Sequence, residues 1–490
     1  MTKDTDAIPL LSVDDVVPHN SPDDCWVVIN GEVWDLTAFI GEHPGGPSTI
    51  LKYAGRDATD TFLEIHAVTI IRENISIEHF KGKLDISTIT ADWLRSPQEP
   101  KPPSAGDSKN PKPPLRSLIN SHDFERAAAL SAPLKAYTFY STADTDCWTR
   151  DANESMLKRI WFRPRVMRNV TSVDTSSSML GIPLALPLFI CPTGVARLIH
   201  PDAEKGLARA ASSMGILEII STNSGHPLEE IVQETSEYPF LFQLYLNKQK
   251  DKSKVLLRRA EALGCKAIFL TVDAAGRGKR EADERLKSDD ILPDPITGKP
   301  MKAGAGLTKV MGSFIDQGMT WADLAWIRSV TSLPIILKGI TSAEDAKIAM
   351  HHKVDGILLS NHGGRNLDYS PPAILLLLEM HKNCPEVFNN MEVYVDGGFR
   401  RGADIIKALC LGAKAVGMGR SFLYALHYGT EGVEHLIQLL KAEMEAVMKL
   451  IGITSLEEVY PGLVNTADVD HLVPSGGNHP YIKWRARPNL

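Results

Sequence analysis

The stretch Val354-Asp355-Gly356-Ile357-Leu358-Leu359-Ser360-Asn361-His362-Gly363-Gly364-Arg365 couples an apolar run to a polar loop. The run has the length and continuity of a strand buried on both faces, as in a parallel sheet. A base and a fixed cation therefore leave the end of one buried strand together. Histidine is the side chain that gains or loses a proton near neutral pH, and the arginine fork matches a carboxylate. The paired glycines let backbone come close to a flat ligand. Taken alone, the six residues Ser360–Arg365 fit equally a loop in which His362 satisfies backbone groups and Arg365 is a solvated charge. The rest of the chain decides between the two.

Outward from this stretch, further short apolar runs alternate with helical patterns: Leu186–Cys191, Ile216–Ser221, Phe240–Tyr245, Ala267–Asp273, Pro334–Lys338, Glu392–Asp396 and Ala413–Gly419. Repeated strand–helix units give a parallel sheet. Counting the opening run they predict a closed (β/α)8 barrel ahead of an open doubly wound sheet, since such barrels take about 250 residues. In a barrel the C-terminal strand ends meet at one mouth, where catalytic groups sit. Here those ends carry Thr193, Ser221, Gln243 with Tyr245, Thr271 with Asp273, Lys338, His362, Asp396, and Gly419 with Arg420. One such residue is a strand cap; the full set points to a site. Asp396-Gly397-Gly398-Phe399-Arg400 and Gly417-Met418-Gly419-Arg420 are glycine turns after the last two strands, each opening a helix, which is where a phosphate binds.

Ahead of the barrel, residues 8–86 read as a small α+β module. Cys25-Trp26-Val27-Val28-Ile29 and Glu32-Val33-Trp34-Asp35-Leu36 flank Asn30-Gly31, a strong hairpin signal. His43-Pro44-Gly45-Gly46 follows, then a helical segment around Ala58–Phe62, then His66. Two histidines on separate loops with apolar neighbours can clamp an iron axially. Residues 87–114 form a linker whose Pro-rich part begins at Ser96; such a spacer is semi-extended and packs no core. The barrel takes residues 115–470 and a tail 471–490.

Composition narrows the class. A chain of 490 residues with 43% apolar content has ample material for one large and one small core. The net charge of −7, the pI near 6.1 and the lack of a dense Lys/Arg block give no reason to expect nucleic acid. Six cysteines without a C-x-x-C pair argue against a zinc site or a disulfide framework and for a reducing compartment. Met1–Asp15 has neither an apolar signal core nor an Arg-rich amphipathic pattern, and the longest apolar run, Gly181–Ala196, is short and proline-broken. The expectation is a cytoplasmic protein without membrane insertion.

Two families share these motifs. Asp24-Cys25-Trp26-Val27, His43-Pro44-Gly45-Gly46, Ala54-Gly55-Arg56-Asp57-Ala58-Thr59 and His66 resemble the cytochrome b5 family, which implies haem b with His43 and His66 as both axial ligands. Gln243-Leu244-Tyr245, Thr271-Val272-Asp273, Arg280-Glu281-Ala282-Asp283, Lys338-Gly339, Ser360–Arg365 and Asp396-Gly397-Gly398 followed by Arg400-Arg401-Gly402 resemble the FMN-dependent α-hydroxy acid oxidases and dehydrogenases. In that order the two modules resemble the flavocytochrome b2 family of L-lactate dehydrogenases (cytochrome). The resemblance implies His362 as base, Asp273 as its partner, Arg280 and Arg365 on the substrate carboxylate, and Tyr245 on the substrate hydroxyl or carboxylate. It implies Lys338 at the N1/O2 edge of the flavin, and Ser221, Gln243, Thr271 and Ser360 at its polar atoms. Asp396, Gly397, Gly398, Arg400, Gly419 and Arg420 then hold the ribityl phosphate. The implied reaction takes a small 2-hydroxy acid to the 2-oxo acid and passes electrons through haem to cytochrome c. A homotetramer is implied too, and the mitochondrial intermembrane space stands as the alternative compartment.

The chain departs from the family pattern at several points. Phe139 falls where relatives carry a substrate-contacting tyrosine, with Tyr140 next to it as the side chain that can supply the missing hydroxyl. Gly194 and Asn223 stand where lactate-using relatives have alanine and leucine, which predicts a larger or more polar 2-hydroxy acid. Ala274-Ala275-Gly276-Arg277-Gly278 lacks a proline that relatives carry, predicting a looser loop, and Lys287–Leu307 reads as a mobile lid or a surface insertion. Two other readings follow: an electron carrier with an impaired FMN site, and an oxidase that uses oxygen directly.

Overall fold

The computed structural model describes residues 8–43, 47–67, 69–90, 93, 111–235, 238–276, 278–286 and 314–475. The segment Lys287–Leu307 lies outside these residues, as do most of the expected linker and tail.

The first module is built on one sheet in the order Leu10–Leu11, Phe80–Leu84, Glu32–Asp35, Asp24–Ile29, Asn20–Ser21, with Arg56–Asp57 added in parallel to Asp24–Ile29. Its central hairpin closes on Asn30 and Gly31, both with positive φ (52° and 74°), the backbone that a two-residue turn between right-twisted strands needs. Trp34, Val28 and Val33 alternate across the sheet and are fully buried. Trp34 packs with Cys25, Val27, Ile29 and Ile71 on one face, and Val28 and Val33 pack with Val13 and Leu84 on the other. On the first of these faces lies the helix Thr59–Ile65, which ends at His66, whose amide bonds the carbonyl of Phe62.

The second unit is a closed barrel of eight parallel strands: Leu188–Ile190, Leu217–Ile220, Leu241–Leu244, Ile268–Thr271, Ile335–Ile340, Gly356–Leu359, Glu392–Asp396 and Ala415–Met418. Seven fall inside the runs picked out above and the fifth continues two residues past its run, to Ile340; closure between the first and last strands excludes the open sheet. Inward residues form a core of their own: Phe189, Leu217, Ile219, Leu241, Phe269, Ile336, Leu358 and Tyr394. Their neighbours Ile190, Ile220, Phe242, Leu270 and Leu337 point out into the helical layer, so both faces are apolar. Replacing Phe269 by alanine in such packing costs about 3–5 kcal/mol.

Local chemistry sets the helix limits. Ser342 caps Ala343–His351 by accepting from the Asp345 amide, and Gly215 ends Ala203–Met214 with φ +67°. Among the described residues no helix is long and apolar enough to cross a membrane.

Candidate active site and haem site

A cavity of about 480 Å³ opens at the C-terminal mouth of the barrel, where the sequence located its strand-end polar residues. Thr193, Gly194, Ser221, Asn223, Tyr245, Arg280, Lys338, His362, Arg365, Asp396, Gly397, Gly398, Arg400, Gly419, Arg420 and Phe139 all line it. Gln243, Thr271 and Ser360 stand just behind its wall. Gln243 Nε2 donates to Thr271 Oγ1 at 2.9 Å, its Oε1 lies 3.4 Å from Ser221 Oγ, and Ser360 Oγ accepts from Lys338 at 2.6 Å. Strand-end side chains pointing along the barrel axis make an inner ring and a bracing ring, and sequence cannot tell the two apart.

His362 leads off a left-handed turn: it has φ +56°, Gly363 +63° and Gly364 +75°. Only glycine fits at 364, because a Cβ there would come within 2.6 Å of the Arg150 amide nitrogen. Asn361 locks the turn, accepting from the Gly364 amide and exchanging two hydrogen bonds with Asn153 (2.9 and 2.8 Å). The imidazole is thereby aimed into the cavity. Its Nδ1 donates to Asp273 Oδ1 at 3.0 Å, which leaves the lone pair on Nε2, 3.4 Å from the Tyr245 hydroxyl.

Burial holds His362 below the usual histidine range although Asp273 pushes the other way. Burial also works against the Asp273 charge, but His362 and Lys338 outweigh it and keep the carboxyl below its ordinary value. The pair therefore rests as neutral imidazole beside carboxylate. Gly339 makes this possible: it sits at a register shift in the fifth strand with φ +112°, and a Cβ would come within 2.6 Å of the Asp273 side chain.

The positive charge in the cavity is crowded. Arg365 Nη1 donates to three backbone carbonyls, those of Phe139 (2.9 Å), Tyr140 (3.2 Å) and Thr142 (3.1 Å). Arg420 reaches the carbonyls of Tyr140, Thr142 and Gly363. Neutral acceptors orient these groups without cancelling their charge. Burial and mutual repulsion push Arg365 down to about 9 and Arg420 to about 9; burial brings Arg280 to about 10. An anion in this cavity relieves that strain. Lys338 is different: burial opposes its charge, but Asp396, 3.5 Å away, and Asp273 hold the ammonium above its ordinary range.

The departures from the family pattern take on definite roles here. Phe139 lies between the cations, its ring centre 5.1 Å from Arg365 and 5.9 Å from Arg280. Tyr140 does not replace the missing tyrosine hydroxyl, because its own donates to the Val195 carbonyl at 2.7 Å. The loop expected to be loose is pinned at its far end. A Cβ on Gly278 would meet the Arg365 carbonyl at 2.3 Å, and the Lys279 amide donates to Asp144 at 2.6 Å. Glu125 pairs with Arg400 at 3.0 Å and Cys191 Sγ lies 3.5 Å from Asp396; neither stands in a motif.

The cavity fits a flat, phosphorylated cofactor. Thr193 Oγ1 and Asp396 Oδ1 are buried without a hydrogen-bond partner on its wall. Gly397 and Gly398 expose backbone beside the helix Gly402–Cys410, whose mouth side carries Arg400. In the first module the rings of His43 and His66 face one another, centres 6.3 Å apart and planes at 73°. With about 2 Å per metal–nitrogen bond, one ion fits between them. Burial, with His43 close by, brings His66 down to about 4, so it stands as the neutral imidazole a metal requires.

A family model described as FMN-dependent dehydrogenase matches residues 128–466. The chain belongs to the FMN-dependent dehydrogenase family. A second model, cytochrome b5-like haem/steroid binding domain, matches residues 12–85. Within this family it is similar to the L-lactate dehydrogenase (cytochrome) of Wickerhamomyces anomalus, 37% identical over 483 residues, 95% of this chain and 82% of that protein. Spinach (Spinacia oleracea) glycolate oxidase is 38% identical over 353 residues, 70% of this chain and 94% of its own length, and so matches without a haem module. Among solved structures, a leucine-to-alanine mutant of flavocytochrome b2 with benzoylformate aligns with TM-score 0.66 and 35% identity over 77% of this chain and 94% of that one. The protein is thus an FMN- and haem-dependent oxidoreductase of 2-hydroxy acids.

Proposed function

We propose that the chain oxidises an L-2-hydroxy acid with a side chain larger or more polar than methyl, and delivers the electrons to cytochrome c or a similar one-electron acceptor. The observation that carries this reading is the gathering of His362, Tyr245, Arg280 and Arg365 at one cavity mouth beside Lys338, with Asp273 bonded to His362 from behind. FMN, when bound, would take the substrate's electron pair together with one of the two hydrogens that the substrate loses, and haem b would hand the electrons on singly.

The chain's own groups do the rest. Arg280 and Arg365 hold the substrate carboxylate, which fixes the hydroxyl-bearing carbon near His362 Nε2. His362 takes the proton that the substrate must lose, Asp273 stabilises the imidazolium that results, and Tyr245 bonds the substrate oxygen. Lys338 sets a positive charge where reduction deposits negative charge. Thr193, Ser221, Asp396, Gly397, Gly398, Arg400, Gly419 and Arg420 hold the cofactor, with Gln243, Thr271 and Ser360 bracing the wall, and His43 and His66 hold the haem iron.

Gly194 and Asn223 both line the cavity, and a glycine leaves volume that an alanine would take. The relatives named above are an L-lactate dehydrogenase and a glycolate oxidase, and a leucine-to-alanine mutant of flavocytochrome b2 is solved with benzoylformate, a phenyl-bearing 2-oxo acid. The space beside Gly194 and the benzoylformate complex support a substrate bulkier than lactate. The family resemblance also suggests a homotetramer. Anaerobic mixing of the FMN- and haem-loaded protein with lactate, glycolate, longer aliphatic, hydroxylated and aromatic 2-hydroxy acids tests the reading. Flavin bleaching followed by haem reduction, fastest with a member larger than lactate, is the expected result; spectral silence across the panel removes it.

A further inference from the structure

Of the two loops that shape the substrate end of the cavity, one touches the haem module and the other braces the side chain that does so. Three residues beyond Gly194, Arg197 reaches out of the barrel mouth and its Nη1 donates to the carbonyl of Leu63 at 3.1 Å. Leu63 lies in the last turn of Thr59–Ile65, the helix that runs into His66. Its carbonyl is one of the four that a helix end leaves without an intrahelical donor, and a cation there also meets the negative pole of the helix.

Arg197 is built for this reach. Its stem lies over Gly225, where a Cβ would come within 3.0 Å of Cγ and 3.2 Å of Cδ, so only glycine leaves the path clear. Its guanidinium is braced by buried His226, with Nη2 3.2 Å from Nδ1. His226 Nε2 lies 3.1 Å from the Pro201 carbonyl, to which it donates, so Nδ1 is free to accept from the arginine. Gly225 and His226 follow Asn223 on the loop after the second barrel strand. At the rim, Arg259 reaches Glu73 at 3.0 Å and Lys252 reaches Asn74 at 2.8 Å. Those contacts are solvent-exposed and screened by salt; the Arg197 contact is half-buried.

We propose that Arg197 is the positioning residue that docks the haem module on the barrel, so that electron transfer from flavin to haem depends on it while substrate oxidation does not. This rests on the assignment of His43 and His66 to the haem and of the barrel cavity to FMN.

Arg197→Ala, Arg197→Lys and Gly225→Ala in the full-length, cofactor-loaded protein test it. Rapid mixing with the best acid of the panel should show flavin bleaching within about twofold of the parent in Arg197→Ala, haem reduction slowed at least tenfold, and most of that loss recovered in Arg197→Lys. Gly225→Ala, which displaces the stem, should fall between. A haem absorption band unchanged in all three keeps the effect apart from haem loss. Small-angle scattering without substrate gives a second readout: Arg197→Ala should have a larger radius of gyration than the parent, at low and at high salt. Haem reduction at the parental rate, or an unchanged radius, overturns the proposal. A parent whose flavin no acid bleaches overturns the functional reading beneath it and leaves the scattering result to decide the dock.

Discussion

His362 Nδ1 stands 3.0 Å from Asp273 Oδ1, and the other carboxylate oxygen is buried with no hydrogen-bond partner. A half-satisfied carboxylate behind a neutral imidazole stores attraction that is realised only when the imidazole gains a proton. Since burial keeps His362 below the usual histidine range, flavin reduction should be level through neutral pH and fall only on the acid side of that range, as the base becomes protonated. Asp273→Asn should lower the rate and move the acid limb to lower pH still, because the carboxylate is what raises the histidine. His362→Gln should cost on the order of 10²–10⁴-fold. Stopped-flow pH profiles of the flavin phase check all three.

Lys338 gives a test that needs no turnover. Lys338→Met removes the ammonium beside Asp396 and should lower the flavin midpoint potential by on the order of 50–100 mV, about 2–5 kcal/mol at 30 mV per 1.4 kcal/mol. A spectroelectrochemical titration reads it directly.

Phe139 should accept its lost hydroxyl. With the ring already lying against Arg280 and Arg365, Phe139→Tyr should tighten substrate binding roughly five- to tenfold, about 1–1.5 kcal/mol for one added hydrogen bond, seen as a lower KM with little change in kcat.

Gly194→Ala with Asn223→Leu should shift preference toward lactate over larger acids by roughly 10- to 200-fold in the ratio of kcat/KM, the range that a methylene or two commands in such a pocket. Steady-state kinetics over the acid panel measure that ratio.

His66→Ala should abolish haem binding while leaving flavin reduction intact, so that cytochrome c reduction is lost and a small acceptor that takes electrons at the flavin is still served. The haem band and the two acceptor assays report it.

Much of this site is legible in the sequence, because strand-end chemistry survives there. An apolar run followed by Ser360–Arg365 or Asp396–Arg400 fixes both a strand and the residues at its mouth. What lay hidden depends on distance in space. That Gln243, Thr271 and Ser360 brace rather than line the cavity follows from how strand ends stagger. Phe139 lies between Arg280 and Arg365, the latter held there by the Phe139 and Tyr140 carbonyls, and nothing in Tyr137–Ser141 announces that. Sequence leaves Tyr140 a compensating role; its hydroxyl is committed instead to the Val195 carbonyl. Arg197, in an ordinary Ala-Arg-Leu, carries no motif at all; only the helix end at Leu63 gives it meaning.

The central claim is that His362, Asp273, Arg280 and Arg365 serve one substrate on one flavin face. A crystal structure of the FMN-loaded protein with a bound 2-oxo acid measures this most directly. The account predicts the acid's carboxylate within hydrogen-bond distance of both guanidinium groups and its 2-oxygen beside His362 Nε2 and the Tyr245 hydroxyl. A carboxylate bound away from Arg280 and Arg365, or a flavin ring whose reactive face is turned from His362, would contradict it.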